Sequence, residues 1–231
     1  EGIATPILLG SKKQILKMIE HYQLGIEEIT IVDPIAEEEK VSAYAEQFWQ
    51  KRKRKGVSLF EAKKMMKKRE YFGSMMVEMG EADAVISGLT IKYSSAVKPI
   101  LEVIGTAHGT KTVAGMYVLL TKHGPLFLAD TTINEEPTVE EIVEITVNTA
   151  RAVRSTNYPP RIALLSYSNF GSHNGTIPKK MHKAVEILHR DYPDLIVDGE
   201  MQANFATSEE LLEEVFPFSE LVGNRPNVYI F

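Results

Sequence analysis

The stretch that most constrains the fold runs from Arg161 to Ser172 and reads RIALLSYSNFGS. Its apolar part, Ile162 to Leu165, is typical of a buried strand. Small and polar residues follow, and Pro178 then opens a helix. This order predicts a loop at the carboxyl edge of an α/β sheet, where backbone N–H groups and hydroxyls can hold a phosphate or a carbonyl oxygen. An ordinary loop between a strand and a helix is also polar, so the pattern alone leaves both interpretations open.

Two other segments repeat this layout. Residues 82–88 predict a strand that ends at Gly88, and a hydroxyl-rich turn from Leu89 to Ser95 leads into a helix in which Val97, Ile100, Leu101 and Ile104 share one face. Residues 195–197 predict a strand that leads into the polar segment 198–204. Polar loops that follow different strands suggest walls of one cleft.

The remaining pattern is also that of an α/β protein. Strands over residues 3–9 and 29–32 flank a helix that ends at Gly25, which predicts a parallel β-α-β unit. Residues 113–120 and 126–130 predict a hairpin, and 227–231 a last strand. Helices are predicted over 37–50, 58–80 and 179–189. Capping boxes are predicted at three helix starts: Ser11 with Gln14, Ser58 with Glu61, and Thr138 with Glu141.

The length of 231 residues suits one large or two modest domains. The segment from Gly105 to Thr110 contains two glycines and no apolar run, so we predict domains over 1–108 and 109–231. Both ends of the chain are strand-like, which leads us to expect that it is part of a longer protein whose first domain is incomplete here.

Composition excludes several classes of protein. The net charge of −5 provides no basic field for nucleic acid or membrane, and the absence of cysteine excludes disulfides and thiol nucleophiles. No apolar run approaches the roughly 20 residues of a membrane helix, and no signal peptide opens the chain. We therefore expect a cytoplasmic protein.

The densest basic run is Lys51 to Lys55, and more lysines follow it. It suits either a solvated helix face or a polyanion clamp. Arg52 is the best candidate for a clamp, because a guanidinium can hold a phosphate through two hydrogen bonds.

Few other residues point to chemistry. None of the six histidines has a metal-ligand spacing, and His173 is interpreted as a bystander beside the first loop. Glu200 could act as a base or hydrogen-bond to backbone. No P-loop or dinucleotide fingerprint occurs. The residues alone therefore predict a two-domain α/β protein with a cleft for a small phosphorylated ligand.

Several motifs together resemble the phosphate acetyltransferases, and in particular the phosphotransacetylase-like C-terminal domain of bacterial NADP-dependent malic enzymes. They are GVS (56–58) after Arg52, GEADAVISG (80–88), FLADT (127–131), LSYSNFGS (165–172) and VDGEMQA (197–203). The resemblance implies two α/β domains of the isocitrate/isopropylmalate dehydrogenase-like kind with the active cleft between them. It also implies transfer of an acetyl group between phosphate and coenzyme A, without a metal and without a covalent intermediate.

The resemblance implies ligand-binding roles for residues on both predicted domains. Arg52 matches an anion-binding arginine of the family, whereas Lys98 stands where the family has a second arginine and keeps only the charge. The remaining residues expected to bind acetyl-CoA or phosphate are Thr90, Ser166, Ser168, Asn169 and Ser172. No catalytic residue is assigned, because the family's late serine-arginine pair and aspartate would lie beyond Phe231.

Three functions stay open at this point. The first is a regulatory and oligomerisation domain that senses acetyl-CoA in a malic enzyme converting malate to pyruvate and carbon dioxide. That parent's NADP and divalent metal would bind only in a separate N-terminal part. The second is an active phosphate acetyltransferase, and the third is a purely structural assembly domain. The expected partners are an acyl-CoA or phosphate ligand and further copies of the chain.

Overall fold

The computed structural model describes residues 3–26 and 29–231. Its contacts divide it into two compact units, residues 1–107 and 108–231. This division falls within the glycine-containing segment 105–110, one residue before the boundary predicted from the sequence.

The first unit begins with the expected β-α-β arrangement. Strands β1 (Ile7–Leu9) and β2 (Thr30–Val32) pair in parallel, and helix α1 (Lys12–His21) lies between them in the chain. Ser11 is the N-cap of α1, but its side chain makes no capping hydrogen bond. The capping box predicted there is therefore wrong.

Four α-helices complete the described part of the first unit: α2 (Glu38–Arg52), α3 (Leu59–Met66), α4 (Arg69–Glu78) and α5 (Tyr93–Val103). Their core contains Phe48, Met66 and Phe72, all fully buried. The helix predicted over 58–80 is two helices, because Lys68 adopts an extended conformation between them. The capping box of Ser58 and Glu61 at the start of α3 is confirmed.

The strand predicted over 82–88 is absent from the structure. Among the described residues, no strand forms a hydrogen-bonded ladder with this segment, and the sheet of this unit consists of β1 and β2. Ile86 in this segment is 99% exposed. An apolar run becomes a strand only where a neighbouring strand pairs with it.

The buried face of α5 also differs from the prediction. Ala96, Pro99 and Val103 are buried, whereas Leu101 and Ile104 are exposed. The observed face has helical spacing but is shifted by one residue from the predicted one. In this orientation the carboxylate of Glu102, on α5, reaches side chains of α2 and α4.

The second unit is built on a five-stranded sheet. Its strands are β3 (Tyr117–Thr121), β4 (Gly124–Ala129), β5 (Arg161–Leu165), β6 (Ile196–Met201) and β7 (Val228–Ile230), in the order β3-β4-β7-β5-β6. The pair β3–β4 is the predicted hairpin, although β3 begins four residues later than the predicted strand at 113. All other pairs are parallel.

Helices cover both faces of this sheet. Ile162 and Leu164 of β5 pack against helices α6 (Val139–Ser155) and α7 (Thr176–Asp191). Ala163 and Leu165 pack on the other face, with residues of α8 (Ala203–Thr207) and α9 (Glu209–Val215). β5 is therefore buried on both faces, as its uninterrupted apolar sequence predicts. The capping box of Thr138 and Glu141 at the start of α6 is confirmed.

Strand β6 is longer than predicted. It extends to Met201 because it pairs with β5 along its length, with Leu164 opposite Gly199 and Leu165 opposite Met201. Glu200, which the sequence placed in a polar loop, lies within this strand and is fully buried. In the part of the chain that the structure describes, no helix is long and apolar enough to cross a membrane.

Candidate functional site

The carboxyl ends of four strands, β4, β7, β5 and β6, lie at one edge of the second sheet. The loop 166–175, which leaves this edge after β5, carries four of the predicted site residues. They are Ser166, Ser168, Asn169 and Ser172. The structure therefore places this group where ligand sites form in parallel α/β sheets.

Glu200 anchors this loop from the neighbouring strand. Its Oε1 accepts hydrogen bonds from the hydroxyl of Ser168 at 3.0 Å and from the backbone N–H of Gly171 at 2.7 Å. The backbone N–H of Phe170 also donates to the carbonyl of Glu200, at 2.8 Å. Of the two roles considered for Glu200 from the sequence, hydrogen bonding to backbone is the one observed.

The turn at Phe170 and Gly171 is tight. Both residues have positive φ angles, 45° and 85°. Glycine adopts this conformation freely, whereas a bulky residue such as phenylalanine is strained by it. The ring of Phe170 offsets this cost by packing against Phe216 and Phe218, each with its ring centre 4.9 Å away.

Hydrogen bonds within the loop involve three of the predicted residues. The Ser168 hydroxyl accepts the N–H of His173 at 3.1 Å, and the Ser172 hydroxyl accepts the N–H of Asn169 at 3.0 Å. The side-chain carbonyl of Asn169 accepts the N–H of Gln202 at 2.7 Å, which ties this loop to the end of β6. These three side chains therefore shape the loop.

Ser166 differs from these three residues. Its N–H donates to the carbonyl of Met201 at 2.9 Å. Its hydroxyl is buried and has no hydrogen-bond partner among residues 3–26 and 29–231. Buried hydroxyls are usually paired, which makes this one a candidate for ligand binding.

Asp130 organises the same edge at the end of β4. Burial raises the pKa of its carboxyl group, but hydrogen bonds from the N–H groups of Thr132, Gly115 and Asn134 outweigh burial and hold the pKa below its ordinary value. From the sequence, Asp130 was only the last residue of the predicted strand over 126–130. Its position directly after an apolar run was the available signal.

The cations predicted to bind anions lie on the first unit and share one carboxylate. Arg52 Nη2 is 3.2 Å from Glu102 Oε1, and Lys98 Nζ is 4.0 Å from the same oxygen. The hydroxyl of Tyr71 donates to Glu102 Oε2 at 2.5 Å. The structure thus brings Arg52 and Lys98 together, whereas Thr90 is exposed and forms no hydrogen bond to either within the described residues.

Burial is one of two effects that keep the hydroxyl of Tyr71 protonated in this cluster. It raises the pKa of Tyr71 above its ordinary value, and the hydrogen bond to Glu102 raises the pKa further. Tyr71 therefore stays a hydrogen-bond donor. The guanidinium of Arg52 keeps one N–H group without a hydrogen bond, because its buried Nε has no partner in the described part of the chain. Sequence reasoning missed Glu102, although its spacing of four from Lys98 on a helix was a signal.

A shallow depression of about 290 Å³ lies at the start of α7, beside the loop after β5. It is lined by Val139, Asn174, Thr176, Lys179, Lys180 and Lys183. Its lysines make the start of α7 positive. Among residues 3–26 and 29–231, no cluster of three or more His, Asp or Glu side chains could hold a metal ion.

The whole chain, residues 1–231, matches a family model described as phosphate acetyl/butaryl transferase. The chain belongs to this family. The resemblance stated from its motifs is thereby confirmed.

The relatives of the chain include phosphate acetyltransferases and NADP-dependent malic enzymes. The chain is 34% identical over 238 residues to a phosphate acetyltransferase of Clostridium acetobutylicum, and the match covers all of this chain and 71% of that protein. It is 35% identical over 226 residues to the NADP-dependent malic enzyme of Escherichia coli K12, with 96% of this chain and 30% of that enzyme covered.

A solved structure of the same family has the same fold. A phosphotransacetylase from Streptococcus pyogenes superimposes with a TM-score of 0.85 and 32% sequence identity, over all of this chain and 70% of that one. The chain is therefore a phosphate acetyltransferase-like domain with a mixed α/β fold and parallel strands.

Proposed function

We propose that the protein containing this chain is an active phosphate acetyltransferase, which moves an acetyl group between coenzyme A and inorganic phosphate. The observation that carries the proposal is the match of the entire chain to phosphate acetyltransferases at 34% and 35% identity, over 71% of each. This is the second of the three functions considered from the sequence, and the match favours it over the regulatory function.

In the proposed reaction the sulfur of coenzyme A attacks the carbonyl carbon of acetyl phosphate. A carbon–sulfur bond forms, the carbon–oxygen bond to phosphate breaks, and the thiol proton passes to a base. The base is not assigned to any residue of this chain. Negative charge develops on the carbonyl oxygen and on the departing phosphate, so hydrogen-bond donors and cations fixed near these atoms would lower the barrier.

The chain offers such groups on each unit. In the second unit, Ser166 presents a buried, unpaired hydroxyl at the end of β5, on a loop held in place by Glu200. In the first unit, Arg52 and Lys98 form a pair of cations that suits a phosphoryl group. We propose that these residues bind the phosphoryl group and the carbonyl oxygen. The isocitrate dehydrogenase-like arrangement of the units stays a prediction.

The proposal is tested with the full-length protein, acetyl phosphate and coenzyme A, by following formation of the thioester. We expect turnover in the wild type. Arg52→Ala should lower kcat/KM at least tenfold, whereas Arg69→Ala, which removes an exposed cation nearby in the chain, should stay within twofold of the wild type. Equal effects of the two substitutions, or no turnover in the wild type, would contradict the proposal.

A second candidate is supported by the match to malic enzymes, of which the chain covers 30%. In this alternative the domain senses acetyl-CoA and regulates a catalytic region elsewhere in the protein. It predicts acetyl-CoA binding in a calorimeter without transferase turnover. Absence of both binding and turnover would favour the third function, a structural assembly domain. A cytoplasmic location and assembly into a homo-oligomer are further proposals.

A further inference from the structure

Only one of the two carboxylate oxygens of Glu200 accepts hydrogen bonds within the described residues. Its Oε1 accepts two hydrogen bonds, but Oε2 is buried and has no hydrogen-bond partner among the described residues. A fully buried carboxylate with an unpaired oxygen is costly, because it has lost water without gaining a donor. A neighbouring positive charge would offset this cost.

The side chain that faces this oxygen is His182, on α7. Its Nδ1 is 3.6 Å from Glu200 Oε2, which is too long for a hydrogen bond but suits an ion pair when the imidazole is protonated. The side chain of His182 is 54% exposed, so water reaches it although it does not reach Glu200. Within the described residues, no lysine or arginine forms an ion pair with Glu200.

His182 is itself held between two carboxylates. Its Nε2 is 3.5 Å from Glu186 Oε1, one helical turn further along α7, and that side chain is exposed. The two contacts orient the ring so that its other nitrogen faces the buried carboxylate. Helix α7 packs directly against β6, which keeps His182 beside Glu200.

We propose that His182 is a positioning residue for the loop after β5. It supports the carboxylate of Glu200, which in turn fixes Ser168 and the N–H of Gly171. Loss of the imidazole would let the side chain of Glu200 shift, and the loop would lose its anchor. The effect on the order of the loop is independent of the reaction, whereas the effect on acyl transfer rests on the proposed function.

Amide hydrogen exchange at Gly171 tests the proposal directly in the full-length protein. In His182→Ala we expect exchange to be about tenfold faster, as for the loss of one interaction to a charged group. His182→Asn should restore most of the protection, because the asparagine amide can place an N–H where Nδ1 lies. The control is His189→Ala, two turns along the same helix, whose ring contacts the carbonyl of Val197 and not Glu200.

A double-mutant cycle separates positioning from general loosening of α7. In a Glu200→Gln background the buried charge is absent, so His182→Ala should have no further effect on exchange at Gly171. Unchanged exchange in His182→Ala would overturn the proposal. So would an equal increase in His189→Ala, or full additivity in the cycle.

Kinetics extend the test to the reaction. His182→Ala should raise the KM for phosphate about fivefold to tenfold and leave kcat within about twofold, because it acts through the loop that binds the anion. Faster exchange at Gly171 with an unchanged KM would contradict the link to binding. If the wild type has no transferase activity, the proposed function fails, and the exchange experiment still decides whether His182 positions the loop.

Discussion

Glu200 Oε1 lies 2.7 Å from the backbone nitrogen of Gly171. A fully buried carboxylate of β6 therefore fixes the turn that follows the neighbouring strand, β5. The same oxygen accepts the hydroxyl of Ser168. The loop that carries most of the candidate site in the second unit is therefore held by the sheet rather than by solvent.

Replacement of Glu200 should expose this dependence. Glu200→Ala leaves the hydroxyl of Ser168 buried without its acceptor, and we expect the free energy of unfolding to fall by about 2 kcal/mol in urea denaturation. Glu200→Gln keeps an acceptor and should lose less. Glu186→Ala, an exposed carboxylate of α7, should change the free energy by no more than about 0.5 kcal/mol. Equal losses for the two alanine variants would contradict the anchoring role.

Gly199 is required by close packing of two strands. A Cβ at this position would lie 2.5 Å from the carbonyl oxygen of Leu164, and the φ angle is +143°. Gly199→Ala should therefore cost about 3–5 kcal/mol or prevent folding, because the backbone must move. Gly223 also has a positive φ but no atom within 4 Å of a Cβ. Gly223→Ala should cost only about 1–2 kcal/mol. Denaturation and soluble yield would measure both.

Helix capping in the first unit can be tested with a second matched pair of substitutions, at Ser58 and Ser11. The Ser58 side chain accepts the N–H of Glu61, whereas Ser11 makes no capping hydrogen bond. Ser58→Ala should lower the free energy of unfolding by about 1 kcal/mol, and Ser11→Ala by much less. Calorimetric unfolding of the two variants checks this, and a larger loss for Ser11→Ala would contradict the observed caps.

The lowered pKa of the Asp130 carboxyl group predicts that the stability of the protein depends on pH. Because its pKa is lower in the folded protein than in the unfolded chain, it contributes stability above its unfolded pKa of about 3.9. That contribution is lost as the pH falls through the lower folded pKa. Asp130→Asn should therefore flatten the decrease in unfolding free energy between about pH 5 and pH 3. Asp83→Asn, an exposed position, controls for net charge. An unchanged slope in Asp130→Asn would contradict this assignment.

Local sequence patterns predicted the elements that depend on local chemistry. The run from Ile162 to Leu165 is apolar throughout because both faces of β5 are covered, and the polar residues after it form the loop at the sheet edge. The capping boxes at Ser58 and Thr138 were also readable, since each needs only two residues three apart.

Patterns failed where the outcome depends on a distant partner. The sequence over 82–88 predicts a strand that runs into a glycine, but within the described residues this segment pairs with no strand. Glu200 is polar and yet fully buried, because Ser168 and Gly171 supply its donors from 29 to 32 residues away in the chain. The contact between Arg52 and Glu102 joins residues 50 apart, and no local spacing predicts it.

Ser166 and Ser168 provide the last prediction, because two serines of one loop differ in what their hydroxyls do. Ser168 Oγ donates to Glu200 and accepts from the N–H of His173, whereas Ser166 Oγ is buried and unpaired in the described structure. Ser168→Ala should lower the free energy of unfolding by about 1–3 kcal/mol. Ser166→Ala should leave it within about 0.5 kcal/mol, since no hydrogen bond is lost.

Ser166→Ala should affect acyl transfer rather than stability. If the hydroxyl of Ser166 binds the substrate, Ser166→Ala lowers kcat/KM about tenfold at unchanged stability. The reason is that this hydroxyl would form its hydrogen bond only in the complex with the substrate. Ser166→Thr keeps the hydroxyl and should retain more activity than Ser166→Ala. Thioester formation by the full-length variants, measured beside their urea denaturation, checks both effects. A marked loss of stability in Ser166→Ala would mean that its hydroxyl serves the fold rather than a ligand.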